Sequence, residues 1–322
     1  MTNIAVFVPS RRHFGNVMTQ IPFLTCLKTV YPDAKVSIWT KVENSKHFAS
    51  LGVVDEFVNY KSFNLPKIVS QLNKHNYTHI YNLYSGSEKV HLAMALCKTK
   101  KTYGHSDKSY HRFFYDKHFK ISKGLQYIAN SHLSLLNNVH GTNFIPEVIG
   151  TLTESNEDVR LDALTLLPCG GAGDFKKWPI NNYLELADKL TKTSDTIHRV
   201  NIILGPDEAV LEKDIPKKMN RKDVNIYVCP SVPELINIAK TSCLSVTNDC
   251  GPGHIFQMVG TPVITVWGWS NEKNSPYKTM QEWFYSHEHS WTVTPPEQKK
   301  SIDAISVDKV YRLAHTQLLT LS

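Results

Sequence analysis

Short apolar runs alternate with amphipathic stretches along the whole chain, the pattern of βαβ units and a mostly parallel sheet. In the first half these runs predict strands at residues 4–8, 35–39, 56–59 and 79–83. Between the first two, Val17, Ile21, Leu24 and Leu27 recur at helical spacing, and Pro32 marks the end of that helix. Pro22 lies inside the run and predicts a kink in its early turns. A less regular stretch follows at about 140–160. The alternation then resumes with strands at 164–167, 200–204, 224–228, 244–247 and 263–267, helices at about 182–190, 232–240 and 253–259, and a last amphipathic helix at 307–319. Two similar α/β halves suggest paired Rossmann-like domains facing a cleft. A soft prior of roughly 150 residues per domain leads to the same count for a chain of 322.

The segment Thr247-Asn248-Asp249-Cys250-Gly251-Pro252-Gly253-His254 joins a β-rich run to a helical one. Gly251 and Gly253 permit close approach of a ligand, Asp249 is placed to cap the turn, and the N–H groups at the helix start make an anion site. An ordinary βα turn explains the same glycines without a ligand. Two further pieces sit at matching strand ends, where open parallel sheets bind ligands. After residue 167 comes Pro168-Cys169-Gly170-Gly171-Ala172-Gly173, in which Gly171 helps form a loop able to wrap a phosphate, followed by Lys176, which could neutralise a diphosphate. After residue 204 comes Gly205-Pro206-Asp207-Glu208, a carboxylate source for ribose hydroxyls.

Composition narrows the choice. No stretch approaches the ~20 apolar residues of a transmembrane helix. The start lacks a signal peptide's basic region and cleavage site, so cytoplasmic residence is expected. The cysteines at 26, 97, 169, 229, 243 and 250 show no metal-ligand spacing, so no metal is expected and the thiols read as reduced and mostly buried. Of the seven excess positive charges, six fall between Lys98 and Lys123. That patch, interleaved with aromatics from Tyr103 to Phe119, suits an anionic membrane surface or glycolipid. Without a nucleic-acid motif beside it, a nucleic-acid partner ranks last.

The ordered set Lys-x-Trp-Pro, Leu-Gly-x-x-Glu, Pro-Glu-Leu-Ile-x-x-Ala, Asn-Asp-x-Gly-Pro-x-His and Gly-Thr-Pro-Val-Ile-Thr-Val-Trp-Gly, read from Lys176 to Gly268, resembles the ADP-heptose:lipopolysaccharide heptosyltransferases of glycosyltransferase family 9. The resemblance implies a GT-B fold, two Rossmann-like domains over a nucleotide sugar, with no metal or other cofactor beyond that co-substrate. It divides the chain into an acceptor-binding domain at 1–150, a nucleotide-sugar-binding domain at 151–305 and a terminal helix at 306–322 that packs back on the first. It also implies that Lys176 lies near the donor diphosphate, that Glu208 takes the ribose, and that Asp249, Gly251, Pro252 and His254 form the phosphate-side loop.

One position departs from the family pattern. Where the family has Gly-Asp, whose aspartate looks like the general base, this chain has Gly15-Asn16, and a neutral amide cannot take the proton. His13 in the same loop could replace it, Asn16 could merely orient the acceptor, or the protein could be inactive as a heptosyltransferase. Arg11 and Arg12 are candidate contacts for an acidic acceptor, because guanidinium groups bind carboxylate and phosphate in a two-pronged way. The expectation is an inverting, metal-independent transfer of a sugar, heptose among the candidates, to a hydroxyl of an anionic saccharide or glycolipid such as lipopolysaccharide core. Its rivals are a sugar-nucleotide epimerase and a non-catalytic nucleotide-sugar-binding protein.

Overall fold

The computed structural model describes residues 2–10, 13–42, 45–120, 126–153, 161–170, 173–219, 222–268, 277–296 and 301–321. The chain divides into two compact units, Met1–Val148 and Ile149–Ser322, two residues from the boundary that the sequence suggests.

Among the described residues the first unit carries six strands: β1 (Asn3–Phe7), β2 (Lys35–Thr40), β3 (Glu56–Asn59), β4 (His79–Asn82), β5 (Lys101–Ser106) and β6 (Lys117–Lys120). They form one parallel sheet in the order β3-β2-β1-β4-β5-β6. The second unit repeats the plan with β7 (Ala163–Leu167), β8 (Arg199–Leu204), β9 (Val224–Val228), β10 (Ser242–Asn248), β11 (Val263–Val266) and β12 (Ser290–Val293). Their order, β12-β11-β10-β7-β8-β9, is the same topology read from the other edge. Both sheets therefore reverse direction once, between β1 and β4 and between β7 and β10, and such switch points open a crevice at the carboxyl ends of the strands.

The central strands are buried on both faces, which is why they read as apolar-rich runs with small polar residues such as Thr165 and Ser245 rather than as alternating ones. β5, β6 and β12 have no such run and escape the pattern. In β5, Lys-Thr-Tyr-Gly-His-Ser is nevertheless buried at five of six positions, polar side chains included, and its place is set by pairing with β4. Gly104 has no side chain to spare there, since the Tyr115 ring packs where a Cβ would stand.

The predicted helix at 17–30 is two helices, Phe14–Met18 and Ile21–Val30, and Pro22 lies in the first turn of the second. Its missing N–H costs nothing at that position, so the chain restarts there instead of kinking. The helix Val232–Lys240 begins with a reciprocal cap between Ser231 and Glu234. The apolar face of the last helix, Val307–Leu321, is buried in the core of the second unit, where Val310, Ala314 and Leu318 join Leu186, Leu190 and Val246. Burying Val310 and Leu318 contributes about 2 kcal/mol each, and Lys189 in the helix Ile180–Thr193 meets Asp308 at 2.7 Å. Of the cysteines, 26, 169 and 243 are buried, 97 and 250 half-buried and 229 exposed, and none is bridged.

Candidate functional site

The crevice of the second unit is built around Asn248, the last residue of β10. Its side chain is buried and uses both ends. Oδ1 accepts from the Trp178 backbone N–H (3.1 Å) and the Tyr183 hydroxyl (2.8 Å), while Nδ2 donates to the carbonyls of Pro168 (3.0 Å) and Cys169 (3.2 Å). One amide thus ties together the loop after β7, the Lys176-Lys177-Trp178 segment and the loop after β10.

The helix Gly251–Val259 starts immediately beyond, with Pro252 in its first turn and no side chain capping it. Asp249 therefore does not cap the turn, as the sequence suggests it should. Its nearly buried carboxylate holds the Lys176 ammonium. That pair places a cation at the loop leading to an uncapped helix N-terminus, and both attract an anion. Gly253 has no room for a side chain, because a Cβ would come within 2.8 Å of Thr247 Oγ1.

A second pair flanks the first. Glu208, after β8, is buried, and Lys177 Nζ lies 3.1 Å from its Oε1. The contact lacks hydrogen-bond geometry at that oxygen and acts as a charge pair. The Glu208 carboxylate holds the Lys177 pKa above the ordinary lysine value. His254 is buried in the first turn of the helix, and burial pushes its pKa down to about 4, so the imidazole is neutral at pH 7. Its ring centre lies 6.0 Å from that of Trp283. Asp249, Gly253, His254, Gln257, Thr265 and Trp283 line a small pocket beside the helix.

In the first unit, His13 is exposed and precedes the helix Phe14–Met18, and Asn16 lies within that helix, half-buried. The Asn16 carbonyl accepts from Gln20 Nε2 (2.8 Å) and Thr19 Oγ1 (3.1 Å), and its N–H donates to the His13 carbonyl (3.0 Å). Both residues thus share the first helical turn after β1. Arg11, Arg12 and Gly171 lie outside the described residues.

Known proteins show the family and the fold. The profile of glycosyltransferase family 9 (heptosyltransferase) matches residues 66–301. The chain belongs to glycosyltransferase family 9. A curated relative, lipopolysaccharide heptosyltransferase 3 of Escherichia coli (strain K12), is 24% identical over 281 residues, 80% of either chain. The solved E. coli ADP-heptose lps heptosyltransferase II superposes with a TM-score of 0.68 at 17% identity, covering 99% of both chains. E. coli heptosyltransferase WaaC with ADP gives 0.68 at 17% identity, covering 98% of this chain and all of the other. The fold is the α/β GT-B fold of those enzymes, and this family 9 member is a glycosyltransferase.

The structure brings Lys176, Asp249, Gly251, Pro252 and His254 to the loops at one switch point, with Glu208 at the neighbouring strand end. It adds residues that sequence reasoning did not single out. Asn248 stands in the quoted Asn-Asp-x-Gly-Pro-x-His string, but only its four partners reveal what it does. Gln257 and Thr265 face the pocket from core positions of a helix and a strand, and Trp283 comes from a short helix, Tyr277–Trp283, that no run predicts. Lys177 directly follows Lys176, and no spacing rule distinguishes which lysine meets which acid.

Proposed function

We propose that this family 9 glycosyltransferase moves a sugar, heptose being the first candidate, from an ADP-linked donor to a hydroxyl of an anionic saccharide or glycolipid of the lipopolysaccharide-core type. The observation that carries the reading is the Lys176 ammonium held beside the uncapped start of the helix Gly251–Val259. As the bond between the anomeric carbon and the diphosphate oxygen breaks, negative charge grows on the leaving group. A lysine and a helix N-terminus are suited to stabilise that charge, and no metal is needed in this scheme. Glu208 would take the ribose hydroxyls, with the Lys177 ammonium beside it.

The acceptor hydroxyl attacks from the opposite face, giving inversion, and its proton passes to His13, while Asn16 orients the acceptor. Arg11 and Arg12 would meet the acceptor's acidic groups. The exposed part of the basic stretch favours a cytoplasmic protein resting on an anionic membrane surface. There Tyr110 and Phe113 are exposed, Arg112 lies 4.7 Å from the Phe113 ring centre, and Tyr103 and Tyr115 are instead in the core. Among the described residues no helix is long and apolar enough to cross a membrane.

Turnover of ADP-heptose and of UDP-sugars with truncated lipopolysaccharide acceptors tests the reading. Acceptor-dependent release of ADP is expected, with His13→Ala lowering kcat by roughly 100-fold or more. Donor interconversion without an acceptor would make the protein an epimerase. The amide at Asn16 favours a second reading, a binder without chemistry, and ADP binding with no turnover under any condition would establish it.

A further inference from the structure

The switch point of the first unit also gathers chemistry. Four adjacent strands, β3, β2, β1 and β4, end there with Tyr60, Lys41, Ser10 and Tyr84 following them. The Lys41 backbone N–H donates to Ser10 Oγ (3.0 Å), the Tyr60 N–H to the Thr40 carbonyl (3.1 Å) and the Leu83 N–H to the Phe7 carbonyl (2.8 Å), so the four strand ends are tied across the sheet. The Lys41 ammonium lies 5.4 Å from the Tyr60 ring centre and 5.3 Å from that of Tyr84. The Tyr60 hydroxyl is fully buried beside Ser10 and meets no partner with hydrogen-bond geometry.

Among the described residues, the charges that act on Lys41 are of one sign. Lys89, in the first turn of the helix Glu88–Leu96, donates to the Phe63 carbonyl at 2.5 Å. Its positive charge is the charged neighbour of Lys41, and burial together with that repulsion holds the Lys41 pKa below the ordinary lysine value. Among the described residues neither ammonium has a carboxylate partner. Two like charges brought together in a partly desolvated crevice disfavour each other, and a bound anion removes that penalty. Aromatic faces explain part of the tolerance for Lys41, but they do nothing for the repulsion.

We infer that Lys41 and Lys89, with the hydroxyls of Ser10 and Tyr60, form an anion subsite that takes a carboxylate or phosphate monoester carried by the acceptor saccharide. The inference deepens the acceptor half of the proposed function and names residues that select an acidic sugar over a neutral one. Lys41 and Lys89 are binding residues here, and neither is assigned a proton-transfer role.

Isothermal titration of the full chain with glucuronate, glucose 6-phosphate and glucose tests it, with ADP titrated in the same samples. Saturable binding of at least one of the two acids is expected, with no binding of glucose; the better acid tells carboxylate from phosphate. Lys41→Met and Lys89→Met should each weaken acid binding about 10-fold or more, while Lys74→Met, an exposed lysine on the helix Leu65–His75, should leave it unchanged. Without ligand, Lys41→Met should melt no lower than the parent, because repulsion is relieved. Equal loss in Lys74→Met, unchanged binding in Lys41→Met and Lys89→Met, or equal binding of glucose would overturn the subsite. Failure of ADP to bind would count against the donor reading alone, whereas ADP binding without acid binding would overturn this one alone.

Discussion

The two units share one topology and solve the electrostatics of their switch points in opposite ways. In the second, each lysine at the crevice has its acid, Lys176 with Asp249 and Lys177 with Glu208, and both acids are largely buried. In the first, the charge of Lys89 bears on Lys41, and among the described residues neither lysine has an acid partner. Strand order decides where a ligand can enter, and the loops decide what charge greets it. The paired crevice is balanced in charge by its own side chains. The unpaired one holds a charge imbalance that an anionic ligand would relieve.

Buried histidines offer the largest effect that could break this contrast. Burial pushes the pKa of His105 down to about 4 and of His132 to about 3 in the first unit, and of His254 to about 4 in the second. The unfolded chain binds these protons near pH ~6.5 and the folded one only near 4 or below, so stability rises with pH across that window. It is lost on acidification from about 6.5 downward, and the loss levels off below the folded values. Each group contributes on the order of 3 kcal/mol. Hydrogen exchange at pH 5 and pH 7 should show β5 and the helix Ile128–His140 losing protection before β10. Earlier opening of β10 would mean that the second unit is the acid-sensitive one.

Next in size is Asn248→Ala. It leaves the Tyr183 hydroxyl and two loop carbonyls without their partner, at a cost of about 3 kcal/mol or more. A fall in Tm of several degrees is expected together with loss of ADP binding, while acidic-sugar binding at the first unit survives. Loss of both would show that the two crevices do not act independently.

The smallest effect separates geometry from charge. Gly253→Ala forces a Cβ to within 2.8 Å of Thr247 Oγ1 in a buried strand. A stability loss of about 1–2 kcal/mol is expected, with weaker ADP binding and the Lys176 and Asp249 pair intact. Unchanged ADP affinity would mean that the helix start is not in contact with the donor.

Much of this architecture was legible in the chain itself. Apolar runs announce nine of the twelve strands among the described residues, seven of them buried along nearly their whole length and β3 and β9 only half-buried, and the loop from Asp249 to His254 carries its glycines because the backbone must turn and begin a helix there. β5, β6 and β12 were not legible, because polar residues such as His105 and Ser106 become strand only by pairing with a neighbour that already exists. The same limit applies to the site. The residue types and their order pointed to a phosphate-side loop with a nearby lysine, since those are properties of a local turn. Which acid each lysine meets, what Asn248 binds, where the last helix buries its apolar face and that Lys41 and Lys89 have no acid partner among the described residues are facts about residues far apart in sequence. Only packing brings them within a few ångströms, where Coulomb and hydrogen-bond energies become decisive.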